Sequence, residues 1–452
     1  MSTLAPPPKK ERPKPFLLAE YCKGCGRCID ACNRDCITPG SAINALTGLV
    51  PVQLDLEQCN GCALCIDACP EPYGLRAMLP ETHLPAPAPV DIPDALVPLP
   101  QLEPLVIKGT YASAIGALLA GCRHFFGYPI TPSTEGAELM AKLLPGLDGH
   151  FLQAVSEVAT INMMYGCGGA GLPALTFTSS PGFSLMLEGI SYMIGAEIPG
   201  VFVDIMRGGP GLGNIGPEQS DLKLACRGLG HGNTHAICLT PSTPQEMLDL
   251  TMLAFDLSFR YRHPVVILGD GYLGQMTGKV QLPRTMVKPG IPAWAVYGDA
   301  MHRGNLHTSI YLTETDLEAH NHRLNGKYEA MTRNEQRADL FHCEDAEVLI
   351  IATNTPARMA RGAVELLRSE GIRAGLFRPI TVWPFPIDLL REPVQRAKRI
   401  VVVEASSGQL EDELRLALSK DGIRQFAEIE SVRRMGGILP QLDEIVEKVR
   451  QA

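Results

Sequence analysis

Cys22, Cys25, Cys28 and Cys32 form the run C-x2-C-x2-C-x3-C, and Cys59, Cys62, Cys65 and Cys69 repeat it, the second run followed by Pro70. Eight of eleven positions are identical between CKGCGRCIDAC and CNGCALCIDAC, so the pair is an internal duplication. Three thiolates on a tight loop can hold three irons of one cubane while the fourth cysteine points away, and in proteins with two such runs it serves the other cluster. This pairs Cys22, Cys25 and Cys28 with Cys69 around one [4Fe-4S] cluster, and Cys59, Cys62 and Cys65 with Cys32 around a second. Gly24 and Gly61, between the first two cysteines of each run, let backbone amides approach the cluster sulfurs. Two zinc sites are the alternative, although zinc more often takes two separated C-x2-C pairs. The first run has Asn33 where the second has its proline, and Cys36 follows in CNRDC; either Cys32 or Cys36 could be the fourth ligand, and Cys32 keeps the symmetry. Cys122, Cys167, Cys226, Cys238 and Cys343 are scattered among apolar neighbours and read as small buried hydrophobes.

Two glycine motifs invite other chemistry. Gly211, Gly213 and Gly216 in RGGPGLGNIG satisfy G-x-G-x-x-G after the strand-like VFVDI. A dinucleotide site needs a helix to start there and an acid ending the next strand, but GNIGPEQSD is turn-like and AICLT has no acid. The loop is read instead as one that brings backbone close to a ligand or subunit. Gly269-Asp270-Gly271 matches the start of a thiamine pyrophosphate Mg²⁺-diphosphate motif, but no asparagine follows until Asn305 and no helix is expected after it. The diphosphate half is therefore not expected in this chain.

The elements that must position these residues follow from composition and pattern. A length of 452 residues suggests three domains, and apolar and charged fractions of 45% and 20% are those of a globular protein. No apolar run is long enough to span a membrane, and the basic, Pro-rich N-terminus lacks the apolar core of a signal peptide, which gives a cytoplasmic expectation. A net charge of −9 argues against a nucleic-acid partner. A Pro/Lys-rich arm (1–15) precedes the cluster module (16–80), and a linker (81–104) falls within a stretch, Pro80 to Pro104, that holds eight prolines. Then PALTFTS, GVFVDIM, AICLT and PVVILGD alternate with helical TYASAIGALLAGC and TPQEMLDLTMLAFDLSFR, the pattern of a parallel α/β sheet over 105–285. A polar connector with a charged helical patch (286–342) leads to a second α/β unit (343–452) built on AEVLIIATN, ARMARGAVELLRSEG, IRAGLFRP, RIVVVEASS and QLEDELRLALS.

Six ordered segments, GYPITPSTE (127–135), SEVATINMMYGCGGAG (156–171), TSSPGFSLMLEGI (178–190), MRGGPGLGNIGPEQSD (206–221), LFRPITVWPFP (376–386) and VVVEASSGQLEDE (401–413), resemble the alpha subunit of the 2-oxoacid:ferredoxin oxidoreductases, particularly the branched-chain 2-oxoisovalerate type. The resemblance covers about 105–452, with a two-cluster ferredoxin domain fused in front. It implies an α/β fold: a ferredoxin domain, a pyrimidine-binding-type domain and a transketolase C-terminal-like domain. It implies thiamine pyrophosphate shared with a beta subunit that binds Mg²⁺ and the diphosphate, a further gamma subunit, and ferredoxin or another carrier as electron acceptor. The implied reaction is coenzyme A-dependent oxidative decarboxylation of a 2-oxoacid. Glu157 matches the glutamate that faces the aminopyrimidine ring nitrogen, Thr131 a threonine near the substrate oxygens, and Arg207 could clamp the substrate carboxylate; Ser179, Ser180 and Gly182 resemble loop positions near the cofactor. A non-catalytic electron-transfer and assembly subunit, or the same chemistry on 2-oxoglutarate or an aromatic 2-oxoacid such as phenylglyoxylate, are the competing readings.

Overall fold

The computed structural model describes residues 12, 14–45, 47–71, 74–77, 90–302 and 304–451. The expected arm, apart from residues 12, 14 and 15, and the first part of the expected linker, 81–89, lie outside them. The chain divides into two units, 1–88 with 310–322, and 89–309 with 323–452.

The first unit is built twice over. Each cysteine run turns through left-handed backbone, at Gly24 and Gly26 in the first and at Gly61 and Ala63 in the second, and enters a one-turn helix, Arg27–Asp30 or Leu64–Asp67. Two short antiparallel ladders close the unit: Phe16–Leu17 with Leu75–Arg76, and Ile37–Pro39 with Val52–Leu54. Cys28 and Cys65, on the helical turns, are buried with Ile37, Val52 and Leu75 in a small core.

The second unit holds two mainly parallel sheets. The seven-stranded one runs Thr381–Trp383, Ile237–Leu239, Pro264–Asp270, Gly200–Met206, Ala174–Thr178, His124–Gly127, His150–Gln153. Its central strands read as unbroken apolar runs because helices cover both faces; every residue of Gly200–Met206 and of Pro264–Asp270 is buried. Each fully buried Val, Ile, Leu or Phe there contributes about 1.5–3 kcal/mol. The five-stranded sheet has the order Ala338–Phe341, Ala374–Pro379, Val348–Ala352, Arg399–Glu404, Ile429–Arg433.

Three segments depart from the boundaries expected from sequence. Ala95–Pro98, inside the expected linker, pairs antiparallel with Thr285–Lys288. Prolines do not prevent this, since a two-stranded ribbon leaves an edge where a missing N–H costs nothing. Ala338–Phe341, inside the expected connector, is the edge strand of the five-stranded sheet, while the charged patch of that connector is the helix Glu314–Asn334. Thr381–Trp383, from the C-terminal α/β segment, adds antiparallel to Ile237–Leu239 and so completes the seven-stranded sheet. The two α/β segments share a sheet edge, and Arg378 reinforces the joint by bonding both carboxylate oxygens of Glu246 (3.0 and 2.6 Å). Among the described residues no helix is long and apolar enough to cross a membrane.

Candidate functional site

The cysteines of the first unit surround two small cavities. Cys22, Cys25, Cys28 and Cys69 line one, together with Leu17, Val52 and Leu75. Cys59, Cys62, Cys65 and Cys32 line the other, and Cys36 lines it too. Each cavity therefore takes its last cysteine from the opposite run. Burial and neighbouring thiols push Cys28 up to about 11 and raise Cys65, so these two thiols ionise more readily beside positive charge. Among the described residues no three His, Cys, Asp or Glu side chains converge tightly enough to hold a single metal ion. Thiols spread around a cavity, rather than drawn to one point, suit a polynuclear cluster better than a tetrahedral zinc ion.

In the second unit the candidate residues gather at the carboxyl ends of parallel strands, where open α/β sheets form their crevices. Thr131 follows His124–Gly127, and Glu157 follows His150–Gln153 as the first residue of the helix Glu157–Gly169. That helix is capped by Ser156, whose hydroxyl accepts from the Ala159 amide. Ser179 and Ser180 follow Ala174–Thr178, and Arg207 follows Gly200–Met206. Glu157 is 5% exposed. Gly182 lies so close that a Cβ there would stand 2.4 Å from Glu157 Oε1 and 2.5 Å from Thr178 Oγ1, so glycine is needed for the helix to reach the carboxylate. The hydroxyls of Thr178 and Ser179 are buried without a partner among the described residues, which leaves hydrogen-bonding capacity beside Glu157 for a polar ring.

Arg207 and Thr131 are brought together, but not as two free side chains. The Arg207 guanidinium donates to the backbone carbonyls of Thr131 (2.7 Å) and Leu212 (3.2 Å), while its Nε is buried without a partner. Beneath it lies a network that sequence reasoning missed. The Ser180 hydroxyl accepts from the Arg207 amide (3.0 Å) and donates to Asp221, and the Ser220 hydroxyl also reaches Asp221 (3.1 Å). Asp221 in turn faces Asp204, which is fully buried in Gly200–Met206. Burial first, then the adjacent Asp221 carboxylate, hold the Asp204 carboxyl well above the usual range, which favours its protonated form, and both its oxygens are buried without a hydrogen-bond partner among the described residues. The signal was on the page: an aspartate in the midst of the apolar run GVFVDIM.

The two glycine motifs resolve differently. No helix begins at Gly216; the next one is Leu222–Arg227, as expected for a loop that is not a dinucleotide turn. The loop is tied down instead by Glu218, which accepts from the Gly436 amide (2.8 Å), and by Asn214, which donates to the Gly436 carbonyl (2.8 Å). Contrary to expectation a short helix, Gly271–Gln275, does follow the GDG. Asp270 caps it through the amides of Tyr272 and Leu273, and also accepts from the amide and hydroxyl of Thr355, both at 2.8 Å. A carboxylate with four internal donors does not fit as a Mg²⁺ ligand.

Comparisons with known proteins bear on this arrangement. The family model for pyruvate flavodoxin/ferredoxin oxidoreductase, thiamine diphosphate-binding, matches residues 115–339. Core domain II of pyruvate:ferredoxin oxidoreductase matches 346–445, and a 4Fe-4S dicluster domain matches 21–72. Ketoisovalerate oxidoreductase subunit VorB of Methanothermobacter thermautotrophicus is 46% identical over 348 residues, 76% of this chain and 97% of its own. The chain belongs to the 2-oxoacid:ferredoxin oxidoreductase family. 2-Oxoglutarate synthase subunit KorA of Methanocaldococcus jannaschii is 35% identical over 362 residues, 75% of this chain and 97% of its own. Among solved structures, 2-oxoglutarate:ferredoxin oxidoreductase from Magnetococcus marinus, with 2-oxoglutarate, coenzyme A and succinyl-CoA bound, superposes with a TM-score of 0.70 at 26% identity. That match covers 77% of this chain and 65% of that one, so the chain spans about two thirds of its length. As a family member the chain is an oxidoreductase subunit, and it joins an iron-sulfur dicluster domain to a thiamine diphosphate-binding domain.

Proposed function

We propose that the chain is the alpha-type subunit of a cytoplasmic complex that oxidatively decarboxylates a branched-chain 2-oxoacid to an acyl-CoA, and that its own two [4Fe-4S] clusters carry the electrons to ferredoxin or another carrier. The observation that carries the reading is Glu157, buried at the crevice with Gly182 flush against its carboxylate and unspent hydroxyls beside it. Thiamine pyrophosphate, when bound, supplies the nucleophilic carbon and the electron sink for decarboxylation. Glu157 would face the aminopyrimidine ring of that group and supply a carboxylate able to give or take a proton there. Arg207 keeps unspent donors after binding Thr131 and Leu212, enough to orient the substrate carboxylate. The saturated Asp270 supports a beta subunit as the holder of Mg²⁺ and the diphosphate, with a gamma subunit completing the complex. Cys22, Cys25, Cys28 and Cys69 would hold one cluster, and Cys59, Cys62, Cys65 and Cys32 the other.

The glycine loop favours an apolar substrate. It carries Leu212 and Ile215, 80% and 62% exposed, and beyond Arg207 no basic side chain to meet a second carboxylate. The higher identity to the ketoisovalerate subunit than to the 2-oxoglutarate one points the same way. The test is anaerobic purification of the native complex, followed by methyl viologen reduction with 2-oxoisovalerate or 2-oxoglutarate, each with coenzyme A. Faster turnover of 2-oxoisovalerate supports the reading, and faster 2-oxoglutarate turnover replaces its substrate. A complex with iron but no thiamine and no 2-oxoacid turnover would leave an electron-transfer and assembly subunit.

A further inference from the structure

Two clusters need eight thiolates, and the first unit offers nine. The ninth, Cys36, is 3% exposed and lines the same cavity as Cys32, Cys59, Cys62 and Cys65. The chain reverses between Cys32 and Cys36 through Asp35, whose φ of 51° is left-handed, a conformation that aspartate tolerates better than most residues. The Cys36 amide donates to Cys32 Sγ (3.4 Å). The Cys36 thiol itself makes only a weak contact to the Arg34 carbonyl (3.5 Å), so little holds it in its present rotamer. Among the described residues no fifth cysteine lines the other cavity, and four positions beyond the last cysteine of the second run the sequence has Tyr73.

We propose that the fourth ligand position of the second cluster has two occupants available to it, Cys32 as the resident thiolate and Cys36 as its reserve. The proposal rests on the reading that this cavity holds a [4Fe-4S] cluster. In the exchange the Cys36 thiol gives its proton to solvent as its sulfur bonds iron, the Fe–S bond to Cys32 breaks, and the Cys32 thiolate takes up a proton. No electron changes hands.

The test uses the full-length chain, reconstituted anaerobically with iron and sulfide, with iron content and the electron paramagnetic resonance spectrum of the dithionite-reduced protein as readouts. Wild type is expected to bind about eight irons per chain. Cys32→Ala, Cys32→Ser and Cys36→Ala should each keep wild-type iron content, the two Cys32 variants with an altered spectrum because a different thiolate meets the iron. The double variant Cys32→Ala/Cys36→Ala should fall toward half, as should Cys59→Ala. Iron loss in both Cys32 variants equal to that of the double variant overturns the proposal. So does iron loss in Cys36→Ala alone, which would make Cys36 the resident ligand. A wild-type chain that binds no iron overturns the cluster reading itself, and this proposal with it.

Discussion

The two units of this chain place their chemistry by opposite means. In the cluster unit the donors are local: three of each four cysteines lie within seven consecutive residues, and half of the buried core residues, Cys28, Cys36 and Cys65, are themselves thiols beside Ile37, Val52 and Leu75. In the α/β unit the donors are remote. Thr131, Glu157, Ser180 and Arg207 meet only because strands far apart in sequence pair side by side in a sheet whose apolar core would exist without them. One unit is organised by its site; the other carries its site on a scaffold that is stable for other reasons.

The largest effect should come from taking the iron away. Anaerobic chelation should unfold the cluster unit, because so small an apolar core does not offset the entropy of ordering its loops. Hydrogen exchange would then show amides of Ile37, Thr38 and Val52–Leu54 losing protection while those of Gly200–Met206 keep it. Protection retained in both would mean that the comparison is wrong and the small core suffices. Next in size is Glu157→Gln, which keeps the volume and removes the carboxylate. Viologen reduction by the 2-oxoacid should drop by about 10²–10⁴-fold with iron content unchanged. A loss under about tenfold would deny Glu157 a role in proton transfer.

The same contrast governs what the sequence made legible. Cysteine spacing is local, so the two runs could be read directly, whereas the choice between Cys32 and Cys36 could not, and both line the same cavity. Continuous apolar runs likewise marked the central strands Gly200–Met206 and Pro264–Asp270. Short edge strands escaped because they carry no such run. Ala95–Pro98 sits among prolines, and Thr381–Trp383 is three residues whose partner, Ile237–Leu239, is far away in sequence. The Asp204 and Asp221 pair escaped for the same reason, since nothing in either segment names the other. The role of Asp270 as the anchor of Thr355 was equally a matter of long-range contact.

That aspartate pair gives a smaller test of how independent the scaffold is of its site. Asp204 is held protonated in the folded chain and ionises near 3.8 when unfolded, so its raised value favours folding fully below that pH. As pH rises past 3.8, ionisation increasingly rewards the unfolded chain, and the stability is lost progressively up to the folded value. Asp204→Asn is nearly isosteric and has no proton to lose. Melting temperatures of the α/β unit between pH 5 and 8 should therefore decline less steeply in the Asn variant than in wild type. Parallel slopes would show that Asp204 does not hold its proton over this range.

The smallest effect compares the two halves of the cluster unit with each other. The residue before each helical turn is left-handed in both repeats, but it is Gly26 (φ 76°) in the first and Ala63 (φ 66°) in the second. Alanine in that region meets a clash between its Cβ and the backbone that costs roughly 1–2 kcal/mol. Glycine escapes the clash but loses more chain entropy on folding, which takes back part of the gain. Ala63→Gly should therefore stabilise the iron-loaded unit by about 1 kcal/mol or less, seen as a slower loss of the second cluster to chelator. The mirror variant, Gly26→Ala, should speed loss of the first cluster by a comparable factor. If both variants change iron release in the same direction, the two repeats are not equivalent in the backbone that presents their third cysteine. The duplication seen in the sequence would then have diverged in mechanics as well as in the single extra thiol at Cys36.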